Sequence, residues 1–169
     1  MKNNLLFDFT VNKENKTIHV NREFDANLTL VWKAFTTSEL LEQWWAPKPW
    51  KAITKSMDFR EGGHWLYAMT GPEGEKHWSM VKYISIEKEK YFKAKDGFSD
   101  EEGNFNPDLP QNLWENQYVA KNERTLVIIT LSFDTIEDLE TIIKMGFKEG
   151  FTMGLNQLDE LLENLKNKG

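Results

Sequence analysis

Between residues 134 and 165, apolar side chains recur at Ile136, Leu139, Ile143, Phe147, Phe151, Leu155, Leu158, Leu162 and Leu165, in steps of three and four. That spacing collects them on one face of an α-helix. A helix with such a stripe is stable only when the rest of the chain supplies an apolar surface for it. Asp134 or Thr135 can accept hydrogen bonds from the free N–H groups of the first turn, and Glu137 or Asp138 stands where a capping box puts a carboxylate. The pattern predicts one long helix over 134–165. Gly146, Gly150 and Gly154 fall within it at four-residue spacing, beside Phe147 and Phe151. Each glycine costs about 1 kcal/mol of helix propensity relative to Ala. The missing side chains either let the helix pack closely on a sheet or leave room for a ligand between helix and sheet.

The remainder of the chain reads as that sheet. Leu5, Phe7, Phe9 and Val11 alternate with polar neighbours, as do Ile18, Val20 and Phe24 after a polar turn, which predicts a hairpin over 4–24. From Asn27, a candidate N-cap, the period becomes helical through Leu28, Val31, Trp32 and Phe35. A second short helix beginning at Ser38 carries Leu41, Trp44 and Trp45 until Pro47 and Pro49 stop it, so the two helices together span 28–45. Residues 50–133 read as a meander of about six antiparallel strands, punctuated by turns such as Gly71-Pro72-Glu73-Gly74. If Thr70 faces Glu75 across that turn, Trp65, Tyr67, Met69, Trp78 and Met80 share one face. No linker or repeat divides the sequence, and residues 1–169 are expected to form one domain.

Composition narrows the function. There is no Cys, so disulfides, thiol catalysis and thiolate metal sites are excluded. The net charge of −6, with Lys and Arg dispersed among acids, argues against nucleic acid as a partner. No apolar run approaches the roughly 18 residues of a membrane span, and the start lacks the order of a secretion signal, so a cytoplasmic protein is expected. His19, His64 and His77 show no ligand spacing, and the acids Asp100, Glu101 and Glu102 before Gly103-Asn104 do not match a calcium loop, so no metal is expected. No phosphate loop, nucleophile elbow or dinucleotide fingerprint occurs, and no cofactor is expected.

Four stretches carry a family resemblance: Arg22-Glu23-Phe24-Asp25-Ala26 with Val31-Trp32; Leu41 with Trp44-Trp45-Ala46-Pro47; Phe98-Ser99-Asp100-Glu101 with Gly103-Asn104; and Met145-Gly146-Phe147-Lys148-Glu149-Gly150-Phe151 running into Leu158 and Leu161-Leu162. Together they resemble the START-like, birch-pollen-allergen-like superfamily (SRPBCC), in the branch related to the C-terminal domain of the activator of heat-shock-protein-90 ATPase. Asn27 and Ala46 stand where many relatives have Pro and Gly. The resemblance implies an α+β helix-grip fold, in which a curved antiparallel sheet wraps a long C-terminal helix and two short helices follow the first strands. It also implies an elongated apolar cavity between sheet and helix, while most bacterial members of this branch have no established activity.

The seven Trp, eleven Phe and four Tyr are the unusual total for a chain of this length. Trp45, Trp65, Tyr67, Trp78, Met80, Trp114, Phe147 and Phe151 are the candidate cavity lining for a small hydrophobic or aromatic molecule; a filled core would use the same residues. Lys82 and Asp96 are candidate polar cavity residues, paired in one register of their hairpin; a bulge or sheet edge that leaves Lys82 solvated is the preferred reading of that position. No catalytic residue is assigned. The first functional reading is non-catalytic binding of a small apolar ligand. A chaperone-linked or other protein-interaction role, through an exposed Trp44-Trp45 or the acidic 98–109 segment, is the second. An enzyme of the aromatase, cyclase or dehydratase kind, as found elsewhere in the superfamily, is the third.

Overall fold

In the computed structural model, which describes residues 5–168, eight antiparallel strands form one sheet. The hairpin start predicted at residue 4 and the outermost ends of the 1–169 span lie outside the described residues. In chain order the strands are β1 (Phe7–Asn12), β2 (Thr17–Phe24), β3 (Lys51–Asp58), β4 (His64–Thr70), β5 (Lys76–Glu87), β6 (Tyr91–Phe98), β7 (Gln111–Lys121) and β8 (Arg124–Phe133). They lie in the order β1-β2-β8-β7-β6-β5-β4-β3, so the six-strand meander β3 to β8 is closed onto the N-terminal hairpin by the β2–β8 pairing. Helices α1 (Leu28–Thr36) and α2 (Ser38–Leu41) sit between β2 and β3, and α3 (Ile136–Lys144) and α4 (Phe147–Lys168) follow β8. This is the helix-grip fold, with its curved sheet and long C-terminal helix.

Local chemistry explains the helix starts. Asn27 Oδ1 accepts from Leu30 N at 2.9 Å and caps α1, while Thr135 Oγ1 accepts from Asp138 N at 3.1 Å and caps α3. The second short helix ends at Leu41, earlier than residue 45. Trp44 and Trp45 sit in the turns that follow, where Pro47 and Pro49 leave no room for a further helical turn.

The single helix expected over 134–165 is two. Gly146 adopts φ +89°, a left-handed conformation that ends α3 and re-aims the chain into α4. The stripe therefore divides. Leu139 is the buried residue of α3, and Ile136 is 41% exposed rather than packed. Phe151, Leu155, Leu158 and Leu162 carry the stripe into the core. They meet the inward row of each central strand, including Ile18 and Val20 of β2 and Val127, Ile129 and Leu131 of β8.

Polar contacts hold α4 in place. Arg22 of β2 is 5% exposed and donates to Asp159 Oδ2 at 2.6 Å and to Asn156 Oδ1 at 3.0 Å, its guanidinium lying 4.8 Å from the Phe7 ring centroid. Gln157 donates through Nε2 to the carbonyls of Trp44 and Ala46, both at 2.9 Å, and its Oε1 accepts from Lys48 N at 2.9 Å. A Cβ on Gly154 would lie 3.2 Å from the Trp44 carbonyl oxygen, so this glycine is a close-packing residue. Removing one partner of a buried ion pair leaves the other charge uncompensated. Asp159→Ala is expected to destabilise the fold by about 3 kcal/mol, measured by urea unfolding, whereas Lys13→Ala, which breaks an exposed pair with Glu140, is expected to change it by less than about 0.5 kcal/mol.

Candidate functional site

A cavity of about 270 Å³ lies between the sheet and the N-terminal half of α4. Its position follows from the sequence of the helix. Where α4 carries Leu155, Leu158 and Leu162 the space under the sheet is full; where the chain carries Gly146 and Gly150 it is not. A Cβ on Gly150 would meet no atom closer than Pro47 Cγ at 3.7 Å. Met145 lines the cavity and is also 52% exposed, so the space reaches the surface at the joint between α3 and α4.

Six aromatic residues line the cavity: Phe98 of β6, and five from four other segments that contact one another. Phe147 and Phe151, one turn apart on α4, stack with ring centroids 5.2 Å apart. Trp114 of β7 meets Phe151 edge-on at 5.5 Å. Trp45, held over the helix by the Gln157 contacts on either side of it, lies 5.7 Å from Trp114 and 6.0 Å from Phe151. Tyr67 of β4 completes the set, its hydroxyl accepting from Trp45 Nε1 at 2.8 Å. Trp114 Nε1 donates to Asn116 Oδ1 at 2.6 Å. Both indole N–H groups are thus tied into the protein.

At the sheet side of the cavity the wall turns polar, with Ser79 of β5, Asp96 of β6 and Asn112 of β7. Among the described lining residues Asp96 alone carries a charge. Burial pushes its carboxyl up to about 6, against hydrogen bonds from the Asn112 side chain and the Gly97 backbone that pull it down. Asn112 is 7% exposed and its Oδ1 has no hydrogen-bond partner. Burial, with the Asp96 charge nearby, also holds the Tyr67 hydroxyl far above its ordinary value, so it stays protonated.

The structure brings together Trp45, Tyr67, Trp114, Phe147, Phe151 and Asp96, and separates the other candidates from them. Trp65 is buried behind the wall, stacked on Tyr67 at 3.9 Å. Trp78 and Met80 lie on the opposite face of the sheet, because Glu75 belongs to the turn and Thr70 pairs with Lys76. The strands are therefore shifted by one residue from the expected register: Tyr67 faces Ser79 and Trp65 faces Val81. Trp78 lies under the Lys55 ammonium at 5.8 Å, and Met80 lies where a Cβ on Gly103 would touch it.

Lys82 is no partner of Asp96. It pairs in register with Lys95, is exposed on the outer face, and lies 5.0 Å from the Phe105 ring centroid, while Asp96 faces inward opposite Val81. The bulge between Tyr83 and Ser85 leaves Ile84 47% exposed. The Trp44-Trp45 pair also points inward, with Trp44 fully buried. Asp100 binds its own loop, accepting from Asn104 N at 2.9 Å and Glu102 N at 3.0 Å, and these bonds, first that from Asn104, hold its carboxyl below the usual range. No group of three or more His, Asp or Glu side chains is placed to hold a metal among the described residues.

The same architecture recurs in known proteins. The family model for activator of Hsp90 ATPase homolog 1-like proteins matches residues 25–163. The chain belongs to this family. A crystallised protein of Mycobacterium smegmatis is 30% identical, with 94% of this chain and 96% of that one aligned at a TM-score of 0.85. A solution structure from Arthrobacter aurescens is 29% identical over 93% and 91% of the two chains, TM-score 0.87. One from Staphylococcus epidermidis is 26% identical over 92% and 94%, TM-score 0.80. No curated protein matches the sequence significantly.

Ser79 and Asn112 are the polar lining residues absent from the sequence-based candidates, and Phe98, Ile142 and Met145 are among the apolar ones. A signal existed for Asn112. It occupies the inward parity of β7 with Trp114, Asn116 and Tyr118, and a polar residue at a core parity needs a partner.

Asp96 makes stability depend on pH. Its folded value is raised, so ionisation costs the folded state more than the unfolded one, and stability falls as pH rises from about 4 to about 6 and then levels. Asp96→Asn keeps the shape and removes that cost. The variant is expected to be more stable than the parent by about 2–3 kcal/mol at pH 8 and nearly equal at pH 4, from denaturant unfolding at both values.

Proposed function

We propose that this chain is a non-catalytic binding module for a small hydrophobic or aromatic molecule held between the sheet and α4. The observation that carries this reading is the cavity itself. It runs from the α3–α4 joint at the surface to the space under the sheet, six aromatic side chains line it, and glycines stand at that joint and in the first turn of α4, where larger residues would fill it. Its volume, about 270 Å³, is just below the roughly 300–1,000 Å³ typical of small-molecule sites, which suits a small ligand. A single polar patch at one end gives orientation, and aromatic walls give affinity.

The enzyme reading loses its pair. With Lys82 on the outer face, Asp96 has no cationic group beside it among the described lining residues to share acid–base work. A protein-interaction role rests on the acidic 98–109 segment, which keeps Asp100, Glu101 and Glu102 exposed, whereas the tryptophan pair has turned into the core. No helix among the described residues is long and apolar enough to cross a membrane, and we place the working protein in the cytoplasm.

Native mass spectrometry of the freshly purified protein, followed by extraction, is expected to reveal a small apolar adduct released on denaturation. Gly150→Leu puts a side chain into the cavity at a helical position and should strengthen the helix by about 1 kcal/mol. It is expected to keep the fold, to raise the melting temperature, and to lose the adduct. An adduct that survives in the folded Gly150→Leu protein would falsify the placement.

A further inference from the structure

The polar end of the cavity has a definite chemical sense. Asp96 offers carboxylate oxygens, and two donors reach it from the protein, the Asn112 amide and the Gly97 backbone. Turning its amide to Asp96 leaves Asn112 Oδ1 buried and unpartnered on the same wall. No Lys, Arg or His appears among the described lining residues, and the titratable groups beside Asp96 are the protonated phenols Tyr67 and Tyr83. A carboxylate in such a place lacks a counter-charge. The rest of the wall favours the same kind of partner. The indole N–H groups of Trp45 and Trp114 are engaged elsewhere, so these residues offer ring faces, as do Phe147 and Phe151, and aromatic faces attract cations.

We propose that the cavity selects an organic amine: a primary ammonium held by Asp96, on an aromatic or aliphatic body packed among Trp45, Trp114 and Phe151. This rests on the cavity being a ligand site, and adds the charge and polarity of what enters it. A carboxylate or phosphate of the same shape meets the Asp96 charge and is rejected. A neutral alcohol fills the space but leaves the charge unmatched.

The test compares three probes of one shape, 4-phenylbutylamine, 4-phenylbutan-1-ol and 4-phenylbutyrate, by calorimetric titration at pH 7.5. The amine is expected to bind at least tenfold more tightly than the alcohol, and the carboxylate more weakly than both. In Asp96→Asn, the amine should fall to the level of the alcohol, whose own affinity changes less than threefold. The net charge of −6 attracts cations generally, so Gly150→Leu, which fills the cavity and keeps Asp96, is the control and should lose both the amine and the alcohol. Equal binding of amine and alcohol, or an amine preference that survives either substitution, overturns the amine assignment and leaves the apolar site standing. Binding of none of the three overturns both.

Discussion

Everything in this molecule depends on how one helix lies against the inner face of the sheet. The curved sheet presents more concave apolar surface than a single cylinder can touch along its whole length. The C-terminal half of α4 solves this with bulk, through Leu155, Leu158 and Leu162, each almost wholly buried. Its depth is set by contacts that permit no adjustment. The Trp44 carbonyl approaches Gly154, the Gln157 amide spans the backbone of residues 44–48, and the Arg22–Asp159 pair ties the helix to β2. Anchored there, the helix cannot sink further at its other end, and the two glycines of that end leave the gap unfilled.

That division places close packing and open space on the same element without mixing them. The leucine half carries the burial, and the glycine half carries the cavity. Trp45 links them, because the side chain that holds its loop, Gln157, belongs to the packed half while its ring belongs to the open one. The charged group of the wall comes from the sheet, where backbone pairing on both sides of β6 holds Asp96 in position.

The fold was largely legible in the order of its periodicities: alternation, two short helical runs, six alternating segments, then a stripe. Two things were not. The left-handed turn at Gly146 was hidden because α3 and α4 continue one apolar spacing across it, and a glycine inside a stripe is equally compatible with close packing. The register of β4 on β5 was hidden because Leu66 and Ala68 on the outer face are as buried as Trp65 and Tyr67 on the inner one, so both parities read as apolar. The cause lies elsewhere in the chain: Gly103, in the loop after β6, comes against Met80 and Leu66 and shields that outer face. The one-residue slip exchanged Trp78 and Met80 for Ser79 and concealed a polar member of the site. Of the two places open to Lys82, paired with Asp96 or solvated, the neighbouring register selects the solvated one, because Asp96 faces Val81.

The joint at Gly146 divides the C-terminal segment into two cooperative units of unequal strength. Helix α3 rests on one buried side chain, Leu139, whereas α4 is anchored through its C-terminal half. Lifting α3 alone therefore exposes much less apolar surface than unfolding the sheet, which puts it at the low-stability end of the fold. Ile142 and Met145 move with it, and both border the cavity. The less firmly held unit of the C-terminal segment thus borders the cavity, while the core rests on the other.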